Sequence, residues 1–268
     1  SRRYGSRTDA PDATCRPMTR PLELHPDRLL PADPGTRAIA RSIYAGTSNL
    51  PIISPHGHTD PAWFASNAPF EDATQLLLAP DHYLYRMLYS QGVPLADLGV
   101  PDRLGASTAD RRAAWRLFAG HYHLFRGTPS ALWLDAVFHD VFDLRVQLSA
   151  DTADTYFDRI AEQLQRTEFR PRALFDRFGI EVLTTTESPI DRLEHHATIR
   201  ASGWHGRVLT AYRPDPVVDP EHEDFQDALD EFATLTGEDT RSWDGYLEAH
   251  RRRREHFKRA GATSTDHG

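Results

Sequence analysis

Residues 49–58 read NLPIISPHGH, a short apolar run that ends in proline, glycine and two histidines. This pattern is typical of a buried parallel strand whose C-terminal end carries chemistry. Side chains two residues apart in an extended chain point to the same side, so His56 and His58 can reach one ion. Neutral imidazole is a common ligand of zinc and similar metals, and Gly57 allows the backbone a close approach. An HxH triplet alone is also common in ordinary loops, but its position directly after the strand favours a metal site.

Downstream of this strand, residues 61–178 form a long stretch with no convincing strand. Apolar and aromatic residues recur there at helical spacing, which predicts a block of helices inserted after the first strand. We expect aromatic side chains such as Phe118, Phe125, Trp133 and Phe138 to form the core of these helices.

Strands and helices alternate beyond residue 178. Strands are predicted at Ile180–Thr186, Arg207–Arg213 and Ala262–Asp266, with helices between them. Such alternation implies βαβ units and a parallel sheet. Together with residues 49–58 this makes four strands, whereas a closed barrel of this kind needs about eight. We therefore predict an α/β fold, a partial TIM-type (β/α)8 barrel with a large helical insertion after the first strand.

The composition narrows the class of protein and its partners. The 268 residues carry a formal net charge of −8, so nucleic acid is not an expected partner. Cys15 is the only cysteine, which excludes an intrachain disulfide and a cysteine-based zinc cluster and fits a cytoplasmic location. No run of about 18 apolar residues and no apolar signal region is present, so no membrane partner is expected. We expect residues 1–21 to be a disordered extension and residues 22–268 to form one incomplete barrel domain.

Four separated segments resemble the signature segments of a known family. They are Pro51–Asp60 (PIISPHGHTD), Pro80–Gly92 (PDHYLYRMLYSQG), Leu124–Pro129 (LFRGTP) and Thr263–Gly268 (TSTDHG), and they occur in the family's order. The sequence from about Leu24 onward resembles the uronate isomerases, which belong to the amidohydrolase superfamily of (β/α)8 barrels. Because four motifs agree, the resemblance is far more specific than a lone HxH triplet.

The resemblance implies roles for the residues that match the first two motifs. His56 and His58 would be the two first-strand ligands of a divalent metal, zinc in our expectation. His82 and Tyr83 would contact a sugar acid, the expected small-molecule partner. Without the resemblance, His82 and Tyr83 are equally well explained by helix packing and capping.

Three residues after the later strands complete the predicted site. Arg213 would bind the substrate carboxylate, because a guanidinium can donate two parallel hydrogen bonds to it. Asp266 and His267 follow the fourth predicted strand and are expected to face the same rim and contact the substrate. The plainer interpretations are a surface ion pair for Arg213 and an ordinary loop for the other two.

The implied reaction interconverts an aldose and a ketose sugar acid, D-glucuronate and D-fructuronate, and galacturonate and tagaturonate as well, through a cis-enediol. The family's catalytic base, an aspartate that is also the third metal ligand, is expected beyond residue 268, so the catalytic residue stays unassigned. We accordingly expect an N-terminal fragment that is inactive alone. Assembly into a homo-oligomer is left open.

Two alternatives remain. One is a metal-dependent hydrolase of the same superfamily, in which the metal activates water. Such enzymes commonly use a carboxylated lysine, and Lys258, the only lysine here, lies in a predicted helix, which argues against a lysine-bridged pair of metals. The other alternative is a non-catalytic fragment that only binds a partner or a metal.

Overall fold

A computed structural model describes residues 20–100 and 110–267. The chain divides into two compact units. The first, here the helical unit, comprises residues 1–28 and 71–163. The second, the sheet unit, comprises residues 29–70 and 164–268. The predicted extension at residues 1–21 lies outside the described residues except for Arg20 and Pro21, whose backbones pair with Gln147 and Val146.

The helical unit is built from helices and short turns. Its α-helices, numbered along the whole chain, are α3 (His82–Ser90), α4 (Arg111–Gly120), α5 (Pro129–Ala136) and α6 (Ala153–Leu164), of which the last residue falls in the sheet unit. Short 3-10 helices occur at Leu95–Leu98, Tyr122–Phe125 and Ala150–Thr152, and π-helical turns at Thr74–Leu78 and Val137–Val141.

Aromatic side chains form the core of the helical unit. Of the four aromatic residues predicted to lie there, three are buried. Phe118, Phe125 and Phe138 are buried, and the ring of Phe138 lies 5.0 Å from that of Tyr156. Trp133 was expected in this core, but 51% of it is exposed. Trp133 lies in α5, which continues directly into the π-helical turn at Val137–Val141. The buried residues of this continuous segment, Ala131, Leu134 and Phe138, recur every three or four positions, which puts Trp133 on the opposite side.

The sheet unit contains three strands and seven helices among its described residues. The strands are β1 (Ile52–Ser54), β2 (Ile180–Glu187) and β3 (Arg207–Tyr212). The α-helices are α1 (Pro34–Thr47), α2 (Pro61–Ser66), α7 (Pro171–Arg177), α8 (Glu194–Ala201), α9 (Asp215–Val218), α10 (Phe225–Thr236) and α11 (Trp243–Arg259), and a 3-10 turn spans Thr167–Phe169. The fold class is therefore α/β, as predicted.

All three strands run parallel in the order β1-β2-β3. The register between β2 and β3 runs from Val182 opposite Arg207 to Glu187 opposite Tyr212. Because parallel strands end at the same edge, the residues that follow β1, β2 and β3 are brought to one side of the sheet. The helices α2, α7 and α8 contribute Phe64, Phe175 and Ile199 to the cluster that covers β2 and β3.

Two details of the sheet differ from the prediction. The first strand was expected to be buried, but Ile52 and Ile53 are 48% and 61% exposed, because within the described ranges β1 pairs with β2 alone and forms an edge of the sheet. The predicted fourth strand at Ala262–Asp266 is reduced to a single parallel bridge between Tyr212 and Thr265. Two backbone hydrogen bonds hold it, from Tyr212 N to Ser264 O and from Asp266 N to Tyr212 O, which is too few for a ladder.

None of the helices in the described ranges is both long and apolar enough to cross a membrane.

Candidate metal centre

Four of the predicted site residues come together at the C-terminal edge of the sheet. His56 and His58 follow β1, Arg213 follows β3 directly, and Asp266 follows the bridge at Thr265. All four belong to the sheet unit. They share this edge because parallel strands end on the same side of a sheet.

The two imidazoles face each other. His56 Nε2 lies 3.1 Å from His58 Nε2, and the rings are nearly perpendicular at 78°, with centroids 4.9 Å apart. Half of the His56 side chain is exposed. Because His56 and His58 are two residues apart, their rings turn toward one point, as expected from the sequence.

Local hydrogen bonds and a close backbone approach fix this segment. Ser54 Oγ donates to His56 O at 3.1 Å, and Asp60 accepts from Ala62 N at 2.8 Å as the N-cap of α2. A Cβ added to Gly57 would lie 3.3 Å from Thr184 O, tighter than ordinary van der Waals contact. Glycine is therefore suited to this position because the HxH backbone passes close to β2.

A chain of charged groups stands beside His56. Asp266 Oδ1 lies 3.2 Å from His56 Nδ1, and its other oxygen, Oδ2, accepts from Arg213 Nη1 at 3.0 Å. The Nε of Arg213 donates to Asp215 Oδ2 at 2.6 Å. The side chains of Asp266, Asp215 and Arg213 are 14%, 25% and 31% exposed, so solvent screens these contacts only in part.

The donor set fits a divalent metal. His56, His58 and Asp266 can each offer one ligand atom with all three atoms within 4.8 Å of one another. Two nitrogens held at about 2.0–2.1 Å from a tetrahedral zinc ion would be separated by about 3.3 Å. The observed 3.1 Å between the two Nε2 atoms is close to that separation. Imidazole and carboxylate together suit zinc and similar divalent ions.

Two clefts open at this edge, and both are lined by Ser188. The larger, about 710 Å³, is also lined by Arg213, Asp215 and His267, which brings two of the predicted substrate contacts to one cavity. The smaller, about 360 Å³, is lined in part by His58. A guanidinium at the wall of a cleft of this size can receive a small anionic ligand.

Buried polar side chains lie at the ends of β2 and β3. Glu187 is 6% exposed and accepts a short hydrogen bond from Thr210 Oγ1, and burial raises the pKa of its carboxyl. His196 is 2% exposed, donates to or accepts from Thr185 Oγ1 at 2.9 Å, and has its pKa lowered by burial. Both shifts have the same cause, because burial disfavours the charged form of either group.

His82 and Tyr83 belong to the helical unit, where they begin α3. Asp81 caps that helix by accepting from Tyr83 N at 2.9 Å, and the rings of His82 and Tyr83 lie 4.2 Å apart. Tyr83 is 63% exposed, so it is available to a ligand. Their contact with a substrate remains a prediction.

Three residues at the sheet edge were not singled out from the sequence. Thr186 Oγ1 lies 3.1 Å from His58 Nδ1, Asp215 binds Arg213, and Glu187 ends β2. The feature of the sequence that could have identified them is their position, since each lies at or just after the end of a predicted strand. Threonine and acidic residues are too common there for residue type alone to mark them.

Comparisons with known proteins identify similar chains. A family model described as glucuronate isomerase matches residues 35–268. A uronate isomerase of Xanthomonas euvesicatoria pv. vesicatoria is 71% identical over 248 residues, 92% of this chain and 52% of the relative. A uronate isomerase of Phenylobacterium zucineum is 68% identical over 251 residues, 94% of this chain and 52% of the relative.

Two solved structures are also similar. The crystal structure of glucuronate isomerase from Caulobacter crescentus matches with a TM-score of 0.89 and 61% identity, over 93% of this chain and 52% of that one. The uronate isomerase of Thermotoga maritima matches with a TM-score of 0.80 and 26% identity, over 91% of this chain and 51% of that one. The chain spans about half the length of the relatives and structures it matches.

Proposed function

Since this chain belongs to the glucuronate isomerase family, we propose that it carries the metal-binding and carboxylate-binding part of a uronate isomerase active site. The observation that carries the proposal is the meeting of His56, His58, Arg213 and Asp266 at one edge of a parallel sheet. The activity proposed for the whole protein is the interconversion of D-glucuronate and D-fructuronate, with galacturonate and tagaturonate as further substrates.

The proposed architecture extends the observed sheet to a TIM-type (β/α)8 barrel. The parallel order of β1, β2 and β3 and the similarity to the Caulobacter crescentus structure support it. Within it, residues 22–268 are proposed as one barrel domain with a helical insertion at about 61–178. The helices α2 to α7, which all lie between β1 and β2 in the chain, support that insertion.

The proposed metal is zinc, held by His56 and His58. When bound, a divalent ion would polarise the carbonyl and hydroxyl oxygens of the sugar acid. The donor set and the 3.1 Å separation of the two Nε2 atoms support this assignment.

Arg213 is proposed to hold the carboxylate of the substrate. A guanidinium carries five N–H donors, and Asp215 Oδ2 and Asp266 Oδ2 each accept from it. The two carboxylates fix the plane of the guanidinium while it still faces the larger cleft, which His267 also lines. Preorganised donors of this kind bind an anion without first losing side-chain freedom.

His267, His82, Tyr83 and Asp266 are proposed as further contacts to the sugar acid. The imidazole and phenol groups can donate to or accept from sugar hydroxyls. The reaction moves a proton from C2 to C1 through a cis-enediol, and positioned acid–base groups supply much of such catalysis. No described residue is assigned as the base that moves this proton.

Two alternatives are less well supported. A hydrolase with a lysine-bridged pair of metals would need a lysine at the site, and Lys258 lies exposed on α11. The second alternative, a non-catalytic role for this chain, is distinguished from the proposed one by the chimaera experiment below.

The cytoplasmic location stays a proposal that rests on the single cysteine.

The test is a chimaera in which this chain is joined to the half of the Xanthomonas euvesicatoria relative that it does not match. We expect the zinc-loaded chimaera to convert glucuronate to fructuronate, and the His56→Ala and His58→Ala variants to lose most of that activity. A matched control, His205→Ala, changes an exposed histidine that lines neither cleft at the sheet edge and has no place in the candidate metal centre. A folded, zinc-loaded chimaera without turnover would contradict the proposal.

A further inference from the structure

We propose that Asp266 and Thr186 are positioning residues that fix the tautomers of His56 and His58, so that both Nε2 atoms present lone pairs to one metal ion. The inference deepens the proposed function and rests on the metal site contained in it. It gives Asp266 a different task from the substrate contact expected from the sequence, and it gives Thr186 a task that the sequence did not suggest.

Asp266 determines which nitrogen of His56 carries the proton. One carboxylate oxygen accepts a hydrogen bond from the Arg213 guanidinium at 3.0 Å. The other oxygen lies 3.2 Å from His56 Nδ1. An ionised carboxylate can only accept hydrogen bonds, so Nδ1 must be the donor. In the neutral ring the lone pair is then on Nε2, the atom that faces His58.

Thr186 does the same for His58 by a different route. Its hydroxyl has one proton, and Gly57 O, at 3.3 Å, has only acceptor capacity. In the proposed arrangement the hydroxyl donates to Gly57 O, and Thr186 Oγ1 accepts from His58 Nδ1, which lies 3.1 Å away. His58 therefore also carries its proton on Nδ1, and its Nε2 lone pair faces His56.

The two Nε2 atoms are 3.1 Å apart. When both rings are neutral and carry their protons on Nδ1, no proton lies between the two Nε2 lone pairs. Two facing lone pairs repel each other, and a cation bound to both removes the repulsion. Metal-bound histidines generally donate the other ring N–H to a carboxylate or another acceptor, which fixes the tautomer and raises the basicity of the ligand. Asp266 acts on the metal through His56, and Arg213 and Asp215 hold Asp266 in turn.

Isosteric substitutions separate this role from others. In Asp266→Asn the amide oxygen would face the Arg213 cation, so the amide N–H groups would face His56 Nδ1. That arrangement places the His56 proton on Nε2, where it opposes the metal. We expect a 10- to 100-fold loss of zinc affinity. Thr186→Val keeps the volume and removes the acceptor of His58, and we expect a smaller loss of about threefold to tenfold.

The experiment measures zinc affinity of the 268-residue chain by competition with a chromophoric chelator, and ring tautomers by NMR of 15N-labelled histidines. The wild-type zinc form should show Nδ1–H and metal-bound Nε2 on both His56 and His58. Asp219→Asn, which removes the same charge from a residue lining the larger cleft, should leave the affinity within twofold. Unchanged affinity in both Asp266→Asn and Thr186→Val, or zinc bound at Nδ1 of either ring, would overturn the inference.

Failure of the inference and failure of the proposed metal site give different results. If His56→Ala and His58→Ala abolish zinc binding while Asp266→Asn does not change it, the metal site stands and the positioning role is wrong. If none of these substitutions alters zinc binding, the metal site itself is wrong.

Discussion

Lowering the pH from 8 to 5 is expected to destabilise the sheet unit through His250. Its Nδ1 lies 2.7 Å from the hydroxyl of Tyr212, the last residue of β3, which directly precedes Arg213. The imidazole is 7% exposed and packs against the rings of Phe232 and Tyr246, with centroids 4.9 and 4.6 Å away. Protonation puts a charge into this apolar surrounding and loosens the end of the strand that carries Arg213.

The size of the effect follows from linkage. Burial, and secondly the positive charge of Arg254, lower the pKa of His250 from 6.5 to about 4. Between these two values the unfolded chain binds more protons than the folded chain, so stability is complete above pH 6.5 and is lost as the pH falls toward 4. With these two pKa values the folded state loses about 2 kcal/mol by pH 5.

A matched variant isolates this contribution. His250→Gln keeps a hydrogen-bonding partner for Tyr212 and has no group that titrates in this range. Other groups, including His196 and Glu187, change with pH in both proteins alike. We therefore expect the difference in free energy of unfolding between wild type and variant, from urea titrations at pH 8 and pH 5, to change by about 2 kcal/mol in favour of the variant. A difference that stays constant within about 0.5 kcal/mol would show that His250 does not lose its proton-free form at a cost to the folded state.

Further predictions concern the site itself. Replacing His56 or His58 by alanine should remove most bound zinc, which metal analysis after dialysis would measure; full occupancy in both variants would exclude the HxH site. Arg213→Lys keeps the positive charge but cannot donate two parallel hydrogen bonds to a carboxylate. Because a charge-assisted hydrogen bond contributes about 1.5–3 kcal/mol, kcat/KM of the chimaera for glucuronate should fall about tenfold or more. An unchanged kcat/KM would show that Arg213 does not bind the substrate carboxylate. Gly57→Ala pushes a methyl group against a buried backbone carbonyl and should cost about 1 kcal/mol of stability. The control Gly46→Ala, in open space within helix α1, should stabilise the protein by up to about 1 kcal/mol because alanine is the better helix former; equal thermal midpoints for the two variants would mean that Gly57 is not crowded.

The order of elements could be predicted from the sequence because each relies on a local pattern. The run at Ile180–Thr186 is rich in β-branched residues, and the strand observed at Ile180–Glu187 exceeds the predicted one by a single residue. The HxH geometry is equally local, since a spacing of two in an extended chain turns both rings to one side. Strand ends then place Arg213 at the same edge.

Features that depend on neighbours could not be predicted in this way. Whether Ile52 and Ile53 are buried depends on how many strands flank β1, which the run itself does not encode. The segment at Ala262–Asp266 has a strand-like composition, but its pairing with β3 is limited to the backbone hydrogen bonds that it makes with Tyr212. Likewise, Thr186 looks like any strand threonine until the structure sets its hydroxyl beside His58.

His56 and His58 are proposed to hold a divalent metal through their Nε2 atoms at the C-terminal edge of the sheet. The most direct test of this proposal is anomalous diffraction at the zinc edge from crystals of the zinc-loaded protein. We expect one strong peak about 2.0–2.1 Å from both Nε2 atoms, with the His56 Nδ1 to Asp266 contact intact. A peak absent from this position at full zinc loading, or bonded to Nδ1 of either ring, would contradict the proposal.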